Sequence, residues 1–440
     1  MTTFVSCERD QAFLLPPGMK DWLPGDDLAH FVIAAADRVP MTAFQVNDRN
    51  SGRPQYHPRM ILALLVYAYA NGLFSSRRIE RATQRDLGTR FVTANTHPDH
   101  DTIAAFRRQN RSAFETAFLD ILLMARQAGL LRVGTVSLDG TKIDASASKL
   151  RSVRYDRAKQ LRAKLAADIA QLITQAEAAD AEDHDPQALP REPARRETLK
   201  AKLDAACARR QAEAARPAYE AKKAAYDAKT GRRGRPPKPP DDAPPPERPS
   251  NLTDPDSALM RRSDAHEDRQ AYNAQAVVCA DGAQLVPATN LVATSADAPS
   301  LAETNLGLPG TVGLPERVLA DTGYASGPAV ETLQAHGVEP FVAIGRTQPH
   351  RPYDFRPPPP PKAPRRITQP WRIAMKAKLE TKDAKALYKK RKQTVEPAFG
   401  LIKSAMGFRR FSLRGIGTAA TEGTLVTLAY CKQMATLETA

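Results

Sequence analysis

Apolar residues recur at helical spacing through roughly the first third of the chain. Leu28, Phe31, Val32 and Ala35 fall at i, i+3, i+4 and i+7 behind Asp26 and Asp27, an amphipathic helix with acids at its positive end. Pro58 then opens the nearly all-apolar run ILALLVYAYANG, which Gly72 is placed to close; a helix apolar all round belongs at the centre of a core. Ser75 or Ser76 is placed to cap a helix carrying Arg77, Arg78, Arg81 and Arg85, and Asp101 one that begins at Thr102 and carries Arg107 and Arg108. Residues 1–130 therefore read as a helical domain. Its short helices, with arginines on their polar faces, fit a helix-turn-helix type of DNA contact as well as an ordinary support domain with a solvated face. His97 and His100 lie beside Asp99 and Asp101, but without a third ligand at a metal-binding spacing they read as a turn with helix caps.

The period changes from helix to strand at residue 131. Val133–Leu138 is a short β-rich run that delivers Asp139 to its end, just before Gly140. A carboxylate at a strand end is held at the edge of the core and suits a divalent ion facing phosphate; an Asp-Gly turn between strands fits the same residues. Asp144, an odd number of residues on, points to the other face if the strand continues. Farther along, Ala271–Cys279 and Gln284–Val292 read as a hairpin in which Asn273 and Gln275 share one face. The pattern of the first acid then recurs in ERVLADTGYAS, where Asp321 follows an apolar run and precedes Gly323, with Tyr324 beside it. Residues 331–345 read as helix then strand, so the second half is α/β.

Between the two acids lies an insertion. Leu161, Leu165, Ile169 and Leu172, then Leu199, Leu203 and Ala206, follow helical spacing and predict a helical hairpin. Residues 151–250 hold 22 basic and 16 acidic side chains with few large apolar ones, so this segment is expected to project from the fold or to be partly disordered. The proline load of GRRGRPPKPPDDAPPPERP excludes regular structure there, and Arg233-Gly234-Arg235-Pro236 resembles an AT-hook core, an alternative to a plain flexible linker.

The stretch from Lys376 to Arg414 changes the picture most. Up to Arg410 it carries eleven Lys or Arg residues against Glu380, Asp383 and Glu396. Glu396, with Lys403 seven residues on, either enters a basic groove as a metal ligand or pairs with a neighbouring lysine at the surface. The net charge of +15 and pI near 9.7 favour an anionic partner, nucleic acid ahead of a membrane surface. Cys7, Cys207, Cys279 and Cys431 show neither ligand spacing nor a disulfide rhythm, and no apolar run is long enough to span a bilayer. A cytoplasmic protein is expected. Asp139, Asp321 and Glu396 would converge on divalent ions, the arrangement for in-line phosphodiester transfer.

The segments GRPQYHPRMILALLVYAYANGLFSSRRIERA, ANTHPDHDTIAAFR, SLDGTKIDASAS, NLTDPDSALM, AYNAQ, LADTGYAS and TVEPAFGLIK with GFRRFSLRG together resemble bacterial insertion-sequence transposases of the DDE superfamily. The resemblance implies an α/β, RNase H-like (retroviral-integrase-like) catalytic core made of residues 131–150 and 261–440, an N-terminal all-helical DNA-binding domain, and a helical, partly disordered insertion at 151–260. It implies Asp139, Asp321 and Glu396 as the catalytic, metal-holding acids, with Mg²⁺ (or Mn²⁺) as cofactor. Lys403 matches the lysine of the family signature, and Arg391 is its arginine helper. Tyr388 and Arg391 each stand one position farther from Glu396 than in the commonest pattern, whose arginine position holds Lys392. DNA contacts are expected from Arg77, Arg78, Arg81, Lys142, Arg233, Arg235, Lys392, Arg409 and Arg410. The implied activity is cleavage of double-stranded DNA at terminal inverted repeats and strand transfer into target DNA, by a homodimer or larger assembly. A DNA-binding derivative without catalysis, and a Mg²⁺-dependent RNase H-like nuclease without transfer, would carry the same residues.

Overall fold

The computed structural model describes residues 18–46, 54–181, 196–207, 249–261, 267–345 and 367–439. Helices α1 (Met19–Trp22), α2 (Leu28–Asp37), α3 (Pro58–Ala70), α4 (Ser76–Arg85), α5 (Leu87–Val92), α6 (His100–Gln109) and α7 (Arg111–Gln127) form the front end. Asp27 caps α2 by accepting the Ala29 N–H at 2.8 Å. Every residue of α3 from Ile61 to Ala70 is buried, as an all-apolar helix requires. Gly72 ends that helix at φ +71°, and a Cβ there would lie 2.9 Å from the Met406 carbonyl oxygen, so both the backbone and the close approach call for glycine. Helix α6 begins two residues earlier than its sequence implied. Its cap is Asp99, which accepts the Thr102 N–H at 2.6 Å, and Asp101 lies inside the first turn. His97 and His100 bond Thr83 and Glu80 of α4, so the HPDHDT turn fastens α6 to α4.

Strand β1 (Leu131–Asp144) does not stop at Asp139. It is followed by β2 (Ser152–Arg154), α8 (Tyr155–Ala181), the helical residues 196–207 (α9), β3 (Pro249–Asn251), β4 (Ala258–Arg261), β5 (Asp268–Gly282) and β6 (Ala288–Val292). Next come α10 (Ser300–Leu306), β7 (Arg317–Ala320), α11 (Gly327–Ala335), β8 (Glu339–Val342), α12 (Pro370–Glu380), α13 (Lys382–Gly400) and α14 (Ile416–Thr439). The main sheet runs β4-β5-β1-β7-β8, with β6 also paired to β5. β1 is antiparallel to β5 and parallel to β7. The Asp-Gly pair is thus not a turn: Asp139 stands opposite Ala276 and Gly140 opposite Gln275, and pairing runs on to Asp144 opposite Ala271. Asp144 faces away from Asp139 and pairs with Arg269 at 3.2 Å.

Helices α8 and α9 form the hairpin their apolar spacing predicts. Ala158, Leu203 and Cys207 make a small core of their own, with Leu161 and Leu165 against it, and the antiparallel pairs Arg162–Asp204 and Arg196–Asp168 flank it. Arg233 and Arg235 lie outside the described residues. Helix α14 packs on α3 and α7 as well as on β6, so one continuous apolar core joins the front helices to the sheet.

The NLTDPDSALM segment serves the start of α14. Asp254, fully buried, accepts from the Tyr272 hydroxyl at 2.9 Å and the Gly415 N–H at 3.1 Å, while Asp256 accepts the Ile416 N–H at 2.7 Å. Two carboxylates at the positive end of a long helix satisfy N–H groups that have no intrahelical partner. Asp254→Ala removes the acceptor shared by the Tyr272 hydroxyl and the Gly415 N–H, and is expected to cost about 2–4 kcal/mol, read as a lowered midpoint of urea unfolding.

Candidate active site

Parallel pairing between β1 and β7 brings the first two predicted acids together. Ser137 is the partner of Leu319, so the residues two farther on, Asp139 and Asp321, stand at one level on neighbouring strands. Asp139 Oδ1 accepts the N–H of Gly140 at 2.8 Å, and its Oδ2 meets the Arg391 guanidinium at 3.1 Å. Asp321 leaves the end of β7 and caps the turn Thr322–Tyr324, its Oδ1 accepting the Gly323 N–H at 2.8 Å. Burial pushes the Asp139 carboxyl above the usual carboxylate range; the Gly140 N–H and Arg391 pull it back, and the charge of Asp321 pushes it up further.

Helix α13 lies across these strand ends. Tyr388 and Arg391, three residues apart on one face, reach down to the two strands in turn. The Tyr388 hydroxyl donates to the Ala320 carbonyl, the residue before Asp321, at 2.9 Å, and Arg391 takes Asp139. Val395 on the same face is buried. Glu396, one residue on, is exposed. The helix passes through Pro397, whose missing N–H leaves the Gln393 carbonyl without its helical donor; the Gln284 side chain donates to it instead at 3.2 Å. A π-helical turn, Leu401–Ala405, follows and carries Lys403 onto β1, where its ammonium donates to the Thr141 hydroxyl and, at 3.3 Å, to the Lys142 carbonyl.

Among the described residues, no group of three or more His, Cys, Asp or Glu side chains is arranged to hold a metal ion. Asp139 and Asp321 are drawn together, whereas Glu396 stands on the exposed side of α13. The expected phosphate-facing cations are distributed. Arg77, Arg78, Arg81 and Arg85 are exposed on α4, and Arg78, Arg81 and Arg85 line a hollow of about 440 Å³ with Asn71 and Thr89. Arg107 is not among them, because it is buried and donates to the Tyr69 hydroxyl and the Phe74 carbonyl at 2.9 and 3.1 Å. Lys142 donates to the Arg261 carbonyl at 2.6 Å, and Lys392 is exposed on α13. In GFRRFSLRG, Phe408 and Phe411 are buried edge-to-face while Arg409 and Arg410 between them are exposed, fastened by bonds to the Lys403 and Ala145 carbonyls.

One acid of this site escaped the sequence. Asp297, in the loop after β6, accepts from the side-chain amides of Asn273 at 2.8 Å and Gln275 at 3.0 Å. Gln275 in turn accepts from the Tyr324 hydroxyl, which burial pushes well above its ordinary range, with the charges of Asp297, Asp139 and Asp321 adding to the shift. The shared face of Asn273 and Gln275 was legible; that it meets a loop carboxylate was not.

A family model described as a transposase domain (DUF772) matches residues 19–109, and one described as a transposase DDE domain matches residues 242–432. The chain belongs to the transposases. The first match spans α1 to α6, and the second spans β3 to most of α14, including Asp321, Arg391, Glu396 and Lys403 but not β1. No curated protein and no solved structure matches this transposase. Among its described residues, no helix is long and apolar enough to cross a membrane.

Gly140 leaves the room that this transposase's acid site needs. A Cβ there would fall 2.4 Å from Gln275 Nε2, 2.8 Å from Asn273 Oδ1 and 3.0 Å from Asp297 Oδ1. Because Asn273 and Gln275 are buried and both bonded to Asp297, Gly140→Ala is expected to lower stability by about 1–3 kcal/mol, measurable as a fall in the thermal midpoint.

Proposed function

We propose that the chain is an active DNA transposase that cleaves phosphodiester bonds at the ends of an insertion sequence and joins the freed strands to target DNA. The observation that carries this reading is the meeting of Asp139 and Asp321 on adjacent parallel strands beneath Arg391 and Tyr388 of α13, in a chain of the transposase family. The strand order β6-β5-β1-β7-β8, in which only β5 runs antiparallel to β1, supports an RNase H-like core.

Asp139 and Asp321 offer hard oxygen donors, a donor set suited to Mg²⁺ or Mn²⁺ and not to a softer metal. Glu396 is the third acid of this reading, one helical step from the face that Arg391 uses. A divalent ion bound there supplies Lewis acidity, lowering the pKa of an attacking water or 3′-hydroxyl and neutralising charge on the departing oxygen. Arg391 and Lys403 hold the scissile phosphate in place, and the aromatic anchors Phe408 and Phe411 present Arg409 and Arg410 to the backbone. Arg77, Arg78 and Arg81 of α4, with Lys142 and Lys392, extend the phosphate contacts of double-stranded DNA, and the enzyme works as a homodimer or larger assembly on paired ends.

Asp139→Asn, Asp321→Asn and Glu396→Gln are each expected to reduce Mg²⁺-dependent cleavage and joining of cognate end DNA at least about 100-fold while end binding persists, read by gel analysis of labelled products. Joined strands in the wild type support the transposase; cleaved ends alone would mark a nuclease, and bound but uncut DNA a binding module. Replacing Arg78, Arg81 and Arg85 together with Ala should weaken DNA binding and flatten the slope of log K against log salt by up to about 2–3, since each neutralised phosphate contributes about 0.9.

A further inference from the structure

The network around Asp297 spans the two acids. Asn273 and Gln275 are almost wholly buried, stand opposite Lys142 and Gly140 on β1, and both point their N–H groups at one oxygen, Asp297 Oδ1. Gln275 spends its own oxygen on Tyr324, three residues beyond Asp321. A continuous hydrogen-bonded path therefore runs from Asp297 through Gln275 and Tyr324 to the turn of the second acid, while the same Gln275 backs the glycine that follows the first. The other oxygen, Oδ2, lies 3.0 Å from where a Cβ of Gly323 would stand, and Asp321 Oδ1 lies at the same distance from that point. Asp297 is thus packed against both glycines of the site at once.

We propose that Asp297 is a positioning residue of the active site: by accepting from Asn273 and Gln275 it fixes the separation of Asp139 and Asp321. The inference rests on the proposed transposase reaction. Two buried amides bonded to one acceptor have a single low-energy arrangement, and removing the acceptor leaves both donors unpaired, so their side chains turn and Tyr324 loses its partner. Asp139 and Asp321 then keep their strands but lose their mutual spacing, on which shared binding of a divalent ion depends. The function needs an acceptor oxygen and not a charge. An asparagine at 297 keeps Oδ1 for both amides and puts its N–H₂ where Oδ2 stands.

The test compares wild type, Asp297→Ala and Asp297→Asn by Mn²⁺ affinity from electron paramagnetic resonance, kcat and KM for end cleavage, and circular dichroism as a check on folding. In Asp297→Ala, a roughly 10-fold weaker Mn²⁺ affinity and a 10–100-fold lower kcat at unchanged KM for DNA are expected. Asp297→Asn should restore both to within about 3-fold, which a general packing defect would not predict. Wild-type values in Asp297→Ala overturn the proposal, as does an Asp297→Asn protein as impaired as Asp297→Ala. Asp297→Ala that fails to fold leaves Asp297→Asn to decide, since the acceptor reading requires near-normal Mn²⁺ affinity there. Failure of the transposase reading looks different: wild type binds Mn²⁺ and the variants rank as expected, yet cognate ends are neither cut nor joined.

Discussion

The arrangement depends on a central strand being paired along both edges. Because β1 lies between antiparallel β5 and parallel β7, the level of its residues is set by backbone hydrogen bonds on each side. A one-residue slip would turn Asp139 to the opposite face and put Thr141 and Ile143 out of register with everything they touch. The register with β7 places Asp321 beside Asp139, and the register with β5 places Asn273 and Gln275 beneath the pair. The ladder carries Asp139 itself, and Asp321 follows directly on the last residue of β7.

Two like charges on adjacent strands, one of them largely out of water, raise the energy of the ionised state, and α13 answers this locally. Arg391, itself mostly shielded from solvent, meets Asp139, while the Tyr388 hydroxyl ties the same helix to the carbonyl next to Asp321. The ion pair and the neutral hydrogen bond do different work. An arginine alone could pivot on its long side chain; the tyrosine, with few rotatable bonds and a carbonyl target, fixes the helix over the strand ends. Pro397 then frees one carbonyl, Gln284 occupies it, and the π-helical turn beyond resets the rotation that brings Lys403 to β1.

The sequence made legible what depends on period. The buried α3, the α8–α9 hairpin, the strands bearing Asp139 and Asp321, and the shared face of Asn273 and Gln275 all follow from 3.6- or 2-residue spacing. Three features did not follow, each for a physical reason. Gly140 looked like a turn residue because glycine usually marks one, yet here it stays in the ladder since three polar side chains crowd its Cα. Asp297 lies in TSADAPS, a loop without periodicity, and only the return of β6 along β5 brings it to the acids. Arg107 shared helical spacing with exposed Arg108, but its partner Tyr69 comes from α3, and no local pattern announces such a pair.

That buried arginine explains why the front helices and the sheet behave as one core. Glu422 of α14 is fully buried, and its carboxylate accepts from the N–H groups of Ser412 and Leu413 at 2.8 and 3.0 Å and from the Tyr69 hydroxyl at 3.4 Å. Tyr69 in turn receives the Arg107 guanidinium. A lone carboxylate at this depth would be expelled or neutralised; two backbone donors and a positive charge one hydroxyl away make it tolerable. The consequence reaches beyond stability, because Ser412 and Leu413 directly follow Phe411, which with Phe408 presents Arg409 and Arg410. The loop with those two arginines is therefore seated by a charge from α6, a hydroxyl from α3 and a carboxylate from α14, and a change in any one of them shifts cations that lie far from it in sequence.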